Sequence, residues 1–201
     1  MIKRHTLEIT LERLAKPEKP KPELEQYTTP ADVAADMLWI ALSNGDIQGR
    51  RVVDLGCGNG ILGIGAALLG ASSVHCYDVD PRMVELCKQN AAAAGVNVIA
   101  DAEDALLVDG EFDTAIQNPP FGAQNPGADR PFIRTAVRIA KVAYSLHNAE
   151  TIGFVMKFCE GLNADVLHIK NYKFKIPYMF EFHNKKAEFV YVSLIRIVPR
   201  R

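Results

Sequence analysis

Net charge is nearly absent from this chain: 23 Lys and Arg stand against 24 Asp and Glu in 201 residues, a formal balance of −1. That gives no sign of a general polyanion binder, although a local basic face survives, because net charge is a sum and not a map. Cysteine is scarce. Cys57, Cys76, Cys87 and Cys159 form no C-x-x-C pair, and no histidine stands at zinc-ligand spacing from them, so no metal site is expected. Four reduced, mostly buried thiols fit a reducing cytoplasm. Long apolar runs are missing too. The richest, Ile61 to Ala71, is too short to span a membrane and is broken by Gly63, Gly65 and Gly70, with Gly60 before it. The opening Lys3-Arg4-His5 is followed by Glu8 and Glu12, unlike a signal peptide. Internal repeats are absent. What is present is 48% apolar residues, enough to exclude disorder as the main state and to build a full core without disulfides.

The chain reads as a single domain with an N-terminal extension over residues 1–29. Leu7, Leu11 and Leu14 mark one face of a short helix. Lys16 to Pro22, with three prolines and three lysines, reads as an extended linker. In residues 30–201 the pattern alternates. A helix starts at Pro30 with Thr29 as its expected N-cap, and strands are predicted at 51–55, 73–77, 97–100, 112–117 and 142–146. Helices are predicted at 61–69, 81–94, 130–141 and 151–162. Two long strands, 165–176 and 186–198, have no helix between them and predict an antiparallel hairpin. Seven strands in this order predict an α/β protein with a doubly wound, mostly parallel sheet.

The first chemical signal is Val53-Asp54-Leu55-Gly56-Cys57-Gly58-Asn59-Gly60, a strand turning into a helix through G-x-G-x-G. It is neither the dinucleotide fingerprint nor a P-loop. Asp54 before the turn would repel a pyrophosphate and suits a cationic or neutral ligand. Asp78, 22 residues after Gly56, stands at the next strand end, where an acid accepts ribose hydroxyls. Asp101, at the third strand end, is placed to meet an adenine edge. These residues resemble the S-adenosyl-L-methionine-dependent methyltransferases of the seven-stranded, Rossmann-like class I. The resemblance implies strand order 3-2-1-4-5-7-6, with the last hairpin antiparallel. It adds Gly56, Cys57, Gly58, Asn59, Gly60, Val79 and Ala102 to the expected cofactor-binding set.

The second signal is Asn118-Pro119-Pro120-Phe121, at the end of the fourth strand. Two prolines fix the backbone and remove two N–H donors. The Asn118 side-chain oxygen and the Pro119 carbonyl remain as acceptors for a planar amino group, and Phe121 can stack on the ring that carries it. The motif is similar to the [DN]-P-P-[FYW] of amino-group methyltransferases, in which Phe at the fourth place leans toward adenine in RNA. Catalytic roles thus fall to Asn118, Pro119, Pro120 and Phe121, with Asn118 also facing the cofactor. Before the first long helix, Gln26 and Thr29 are expected to bind the methionine end of the cofactor, with Tyr27 over it.

Glu25-Gln26-Tyr27-x-Thr29, the glycine loop, Asn118-Pro119-Pro120-Phe121-Gly122, Tyr144-Ser145-Leu146-His147 and Phe182-His183-x-Lys185-Lys186 follow one order. Together they resemble the methyltransferase-like enzymes that form N6-methyladenosine in small-subunit ribosomal RNA, in an archaeal form. Asn59 departs from the Cys of the eukaryotic members. The resemblance implies RNA as partner and a small zinc-binding activator protein on the edge of the third strand, at Asn97 to Ala100. Lys173, Lys175, His183, Lys185 and Lys186, interleaved with aromatics, are the expected RNA-binding residues. Residues 122–130 form a loop able to close over a base, and His147 reads as a hydrogen-bonded strand-end histidine. Two rival functions fit the same residues: a protein glutamine N5-methyltransferase, and a non-catalytic cofactor-binding scaffold for RNA or ribosome assembly.

Overall fold

The structure, a computed structural model, describes residues 2–122, 125–177 and 187–200. Among the described residues six α-helices and seven β-strands follow one another. They are α1 (Arg4–Glu12), α2 (Ala31–Ser43), β1 (Arg51–Leu55), α3 (Ile61–Leu68), β2 (Ser73–Asp78), α4 (Pro81–Ala93) and β3 (Ile99–Ala102). After these come β4 (Phe112–Gln117), α5 (Asp129–Ile139), β5 (Ala140–Asn148), α6 (Ile152–Gly161), β6 (Ala164–Pro177) and β7 (Ala187–Pro199). The seven strands form one sheet in the order β3-β2-β1-β4-β5-β7-β6. Only the pairings of β7, with β5 and β6, are antiparallel. The expected α/β topology is therefore the observed one.

Strand residues alternate between two cores, as the two-residue period of a strand requires. Val52, Ile116, Tyr144 and Leu194 face one core with α1 to α4. Val53, Ala115, Ala143 and Ile195 face the other with α5 and α6. Leu7 and Leu11 of α1 are buried in the first core, so the N-terminal helix packs into the domain.

Three local readings change. The third strand begins at Ile99 and runs to Ala102, two residues beyond the sequence reading. As the outermost strand it pairs only with β2, so one ladder alone fixes its ends. The expected cap of α2 is also different. Pro30 occupies the N-cap position and no side chain caps the helix, because the Thr29 hydroxyl bonds elsewhere. Finally, α5 passes into β5 without a loop: Ala140 closes the helix and is already extended, at φ −123° and ψ 153°.

Close packing of α3 sets the height of the glycine loop. A Cβ at Gly63 would lie 2.5 Å from Cys76 Sγ, 3.2 Å from Asp54 Oδ2 and 3.3 Å from Val74 Cγ1. Glycine lets the helix start directly against β1 and β2. Gly63→Val should destabilise the fold by about 1–3 kcal/mol, the usual cost of overpacking. A lower denaturant midpoint with unchanged slope is the expected reading; an unchanged midpoint would show that α3 has room to shift.

Candidate active site

The carboxyl ends of β1, β2 and β4 open into a cleft of about 490 Å³. Ligands bind in this position in open α/β sheets. The glycine loop forms its floor. Gly56 and Cys57 donate their N–H groups to the Tyr77 carbonyl, at 2.8 and 2.9 Å, and Gly58 donates to Asp78 Oδ2 at 2.8 Å. Gly56 sits at φ +70°, and a Cβ there would meet Phe132 Cε1 at 3.0 Å, so dihedral and space both demand glycine. Gly60 stands behind the floor, where a Cβ would lie 2.5 Å from Cys87 Sγ; it does not line the cleft.

Asp54 is 1% exposed. Its Oδ2 accepts the Gly63 N–H at 2.8 Å, while Oδ1 is buried with no hydrogen-bond partner among the described residues. Burial pushes its pKa well above the ordinary carboxylate range. A buried carboxylate with an idle oxygen beside a cleft is costly, and a cationic or N–H-bearing ligand group relieves that cost. Asp78 accepts from Gly58 and from Asp80 N–H at 2.9 Å, keeping further lone pairs for hydroxyl donors. Burial raises its pKa as well. Val79 lines the cleft beside it.

Asp101 and Ala102 are placed differently from the sequence reading. They lie within β3, paired with Tyr77 and Asp78, are exposed, and stand outside the cleft. Asp104, Ala105 and Leu106, just past the strand, form that wall instead.

The opposite wall joins residues 25–29 to the Asn-Pro-Pro-Phe turn. Asn118 Nδ2 donates to Thr29 Oγ1 at 2.9 Å. This leaves Asn118 Oδ1 buried without a hydrogen-bond partner among the described residues. After two prolines the first backbone donor is the Phe121 N–H, and the Glu25 carboxylate accepts it at 2.7 Å. The Tyr27 and Phe121 rings lie 5.2 Å apart at 46°. Burial raises the Tyr27 pKa, with the Glu25 charge adding to it. Pro120 lines the cleft beside Asn118; Pro119 next to it is buried, and the half-buried Phe121 ring lies against Tyr27.

Gln26 is at the cleft, but its amide is engaged within the protein. Its Oε1 accepts the Lys21 N–H at 2.8 Å, and its Nε2 donates to Asp80 Oδ2 at 3.0 Å. Asn59 also lines the cleft, with its Nδ2 donated to the Ala15 carbonyl at 3.0 Å. Sequence reasoning missed the role of Glu25. The signal was available: a carboxylate in a motif facing a turn with one backbone donor left. It missed Ala128, the N-cap residue of α5, and Pro131 and Phe132 of that helix, which also line the cleft.

Beneath Asn118 runs a buried polar chain. Gln117 Nε2 donates to Ser145 Oγ at 3.0 Å, Ser145 Oγ lies 2.7 Å from His147 Nε2, and His147 Nδ1 lies 3.1 Å from Asp129 Oδ2. The Gln117 donor leaves the Ser145 hydroxyl to donate to Nε2, so Nδ1 carries the proton toward Asp129. The order resembles a nucleophilic triad, but Ser145 is fully buried and bonded on both sides. Its role is to lock β4, β5 and the start of α5 together.

Of the expected RNA-binding residues, Lys173 extends its ammonium 4.5 Å from the Phe189 ring and 5.7 Å from the Tyr191 ring. Lys175 lies in β6. His183, Lys185 and Lys186 fall outside the described residues. Among the described residues no cluster of His, Cys, Asp or Glu could hold a metal ion, and no helix is long and apolar enough to cross a membrane.

The donor set fits S-adenosyl-L-methionine: an idle buried carboxylate oxygen for an ammonium group, a second acid for a ribose diol, and a glycine floor for close approach. Comparison with known proteins agrees. A family model described as methyltransferase small domain matches residues 28–146. Protein MJ0284 of Methanocaldococcus jannaschii is 39% identical, over 98% of this chain and 94% of its own. The rRNA N(6)-adenosine-methyltransferase METTL5 of Danio rerio is 35% identical, over 96% of this chain and 97% of its own. The crystal structure of PH1948 from Pyrococcus horikoshii is 39% identical and superposes over the full length of both chains with a TM-score of 0.93. The chain therefore belongs to the methyltransferase small-domain family, in the group that includes METTL5.

Proposed function

We propose that this protein transfers a methyl group from S-adenosyl-L-methionine to the N6 amino group of an adenine in RNA, with small-subunit ribosomal RNA as the substrate. The observation that carries this reading is Asn118 Oδ1, an amide oxygen buried at the cleft and without a hydrogen-bond partner among the described residues, while Thr29 takes the amide nitrogen. Relatives named rRNA N(6)-adenosine-methyltransferases, 35% identical over most of the chain, support the choice of substrate.

Asp54, Asp78 and the loop Gly56 to Asn59 would hold the cofactor, which brings an electrophilic sulfonium methyl. The remaining chemistry belongs to the protein. An adenine amine is a poor nucleophile because its lone pair is delocalised into the ring. Asn118 Oδ1 and the Pro119 carbonyl would accept its two N–H hydrogens, draw them out of the ring plane and so localise the lone pair on the nitrogen, which loses one of those protons as the new N–C bond forms. The Phe121 ring, backed by Tyr27, stacks on the base. Positioning and desolvation then supply most of the acceleration, because the acceptors are fixed before the base arrives. The exposed outer edge of β3, with Ile99 51% exposed, is the proposed seat of a zinc-binding activator protein. Four free, buried cysteines suit work in the reducing cytoplasm.

Asn118→Ala should lower kcat by about 10²- to 10³-fold, the usual scale for one preorganised polar group. Cofactor affinity should stay within a few-fold. The assay is label from S-adenosyl-L-methionine in N6-methyladenosine, after digestion of unmodified small-subunit rRNA to nucleosides, with titration calorimetry for the cofactor. Label in protein instead would favour glutamine methylation, and no label despite cofactor binding would favour the scaffold role.

Asp54→Asn should weaken cofactor binding about 10- to 100-fold, the loss of a hydrogen bond to a charged group. The pH dependence has a defined sign. A carboxyl whose pKa is raised on folding holds its proton more tightly in the native state. Its contribution to stability is largest at low pH and is lost as pH rises from the unfolded pKa, about 4, toward the raised value. Denaturant melts from pH 4.5 to 8 should show that loss in the wild type and a flatter profile in Asp54→Asn. Parallel profiles would remove Asp54 as the source.

A further inference from the structure

A second groove opens beside the cleft, between α5 and α6. It has a volume of about 520 Å³, and Leu106, Arg130, Arg134 and Phe158 are among its lining residues. Leu106 and Pro131 line both cavities, so the groove continues the cleft along the outer face of α5.

Its chemistry is cationic and aromatic in register. Arg130 and Arg134 are four residues apart on α5 and share one helix face. Phe154 and Phe158 stand four apart on α6 and share another. The two rows meet in pairs: the Arg130 guanidinium lies 5.8 Å from the Phe154 ring, and that of Arg134 lies 5.7 Å from the Phe158 ring. Among the described residues neither arginine has a carboxylate within ion-pair distance, whereas Arg138, one turn further, is occupied by Asp109 and the Val108 carbonyl. Phe154 is 72% exposed. Arg130 also sits in the first turn of α5, where the helix dipole disfavours a cation. Two arginines without acidic partners and an exposed phenylalanine are poor choices for stability alone.

An adenine that enters the cleft edge-first must leave the stack, and its neighbouring nucleotides must run over the surface next to the cleft mouth. The groove offers them guanidinium forks for phosphate oxygens, and the exposed Phe154 ring beside it offers an aromatic face for an unstacked base. We propose that the α5–α6 groove and the exposed Phe154 ring beside it bind the single-stranded RNA flanking the target adenine, with phosphates on Arg130 and Arg134 in the groove and a base on Phe154, which stands next to it against the Arg130 guanidinium. This rests on the RNA reading above, but on residues separate from those of the cofactor site and the Asn-Pro-Pro-Phe turn.

The test uses the full-length enzyme, S-adenosyl-L-methionine and unmodified small-subunit rRNA. The variants are Arg130→Gln/Arg134→Gln, Phe154→Ala and, as a control for charge loss, Lys141→Gln, whose ammonium pairs with Asp113. The double variant and Phe154→Ala should each raise KM for RNA about tenfold or more, with kcat and cofactor affinity unchanged. The salt dependence of RNA affinity (log K against log salt) should flatten by about 1.4 in the double variant, for two phosphate contacts on a single strand. Lys141→Gln should change neither. An unchanged KM in the double variant, while the wild type methylates the RNA, overturns the groove and leaves the proposed function standing. A raised KM with the wild-type salt slope also overturns it, since phosphates are then not the ligand. A wild type that puts no label into RNA overturns both.

Discussion

The hydrogen bond from Asn118 Nδ2 to Thr29 Oγ1 is the contact on which the rest of the site depends. A carboxamide presents a donor or an acceptor according to which way it faces. Fixing its nitrogen on a hydroxyl 89 residues away in sequence commits its oxygen to the cleft. The fold gives up something for this. A Thr before a helix ordinarily caps it, and the missing side-chain cap costs about 1 kcal/mol. Pro30 offsets part of that cost: it stands at φ −56° and has no N–H to satisfy at the helix entrance. Glu25 completes the clasp by taking the first backbone donor after the two prolines.

The clasp works only because the segment carrying Glu25 and Thr29 is itself held. Ala15 bonds Asn90 through its N–H at 2.8 Å, and its carbonyl accepts from Asn59 and Asn90. Lys21 and Gln26 both reach Asp80. The Arg82 guanidinium lies against that carboxylate and, with the Gln26 and Lys21 donors, holds its pKa far below the ordinary range. Asp80 also caps α4, receiving the Arg82 N–H. One carboxylate thus fixes the start of a helix and the N-terminal arm that walls the cleft. The arm's apparent looseness, a Lys- and Pro-rich run, is confined to the stretch between these two anchors.

Element order was legible in the sequence because it follows from periodicity and from glycine and proline punctuation, whereas the strand order was implied by the resemblance that the glycine loop and its acids carry. β1 and β4 fall where the apolar runs placed them, since a strand buried on both faces leaves a continuous signal. β3 was misplaced because an edge strand is half exposed and its pattern is weak. The site was legible where function sits in one short stretch, as in the glycine loop and the Asn-Pro-Pro-Phe turn. It was not legible where a side chain finds a distant partner. Thr29 read as a cap, and Gln26 read as a ligand contact, because nothing local reveals Asn118 or Asp80. The α5–α6 groove was hidden for the same reason. Arg130 and Phe154 are 24 residues apart, and only the packing of α5 beside α6 sets one against the other.

The near-zero net charge conceals a division of labour. Two acids, Asp54 and Asp78, lie under the floor of the cleft, and burial raises the pKa of both. Among the described residues Arg130 and Arg134 on α5 and Lys173 on the hairpin have no carboxylate at ion-pair distance and lie against aromatic rings instead. The sheet register shows how far the hairpin reaches. β5 ends at Asn148, opposite Val192, whereas β6 and β7 go on pairing from Lys173↔Tyr191 to Pro177↔Ala187. The ladder therefore extends past the end of β5 on the side where Asn118 follows β4. In the proposed function a cationic donor gives these buried carboxyls the charge partner that burial denies them, and the exposed cations suit a polyanionic acceptor. Exchanging the two would put phosphates against buried carboxylates, so the charge pattern favours the proposed arrangement, with the cofactor deep and the nucleic acid at the surface.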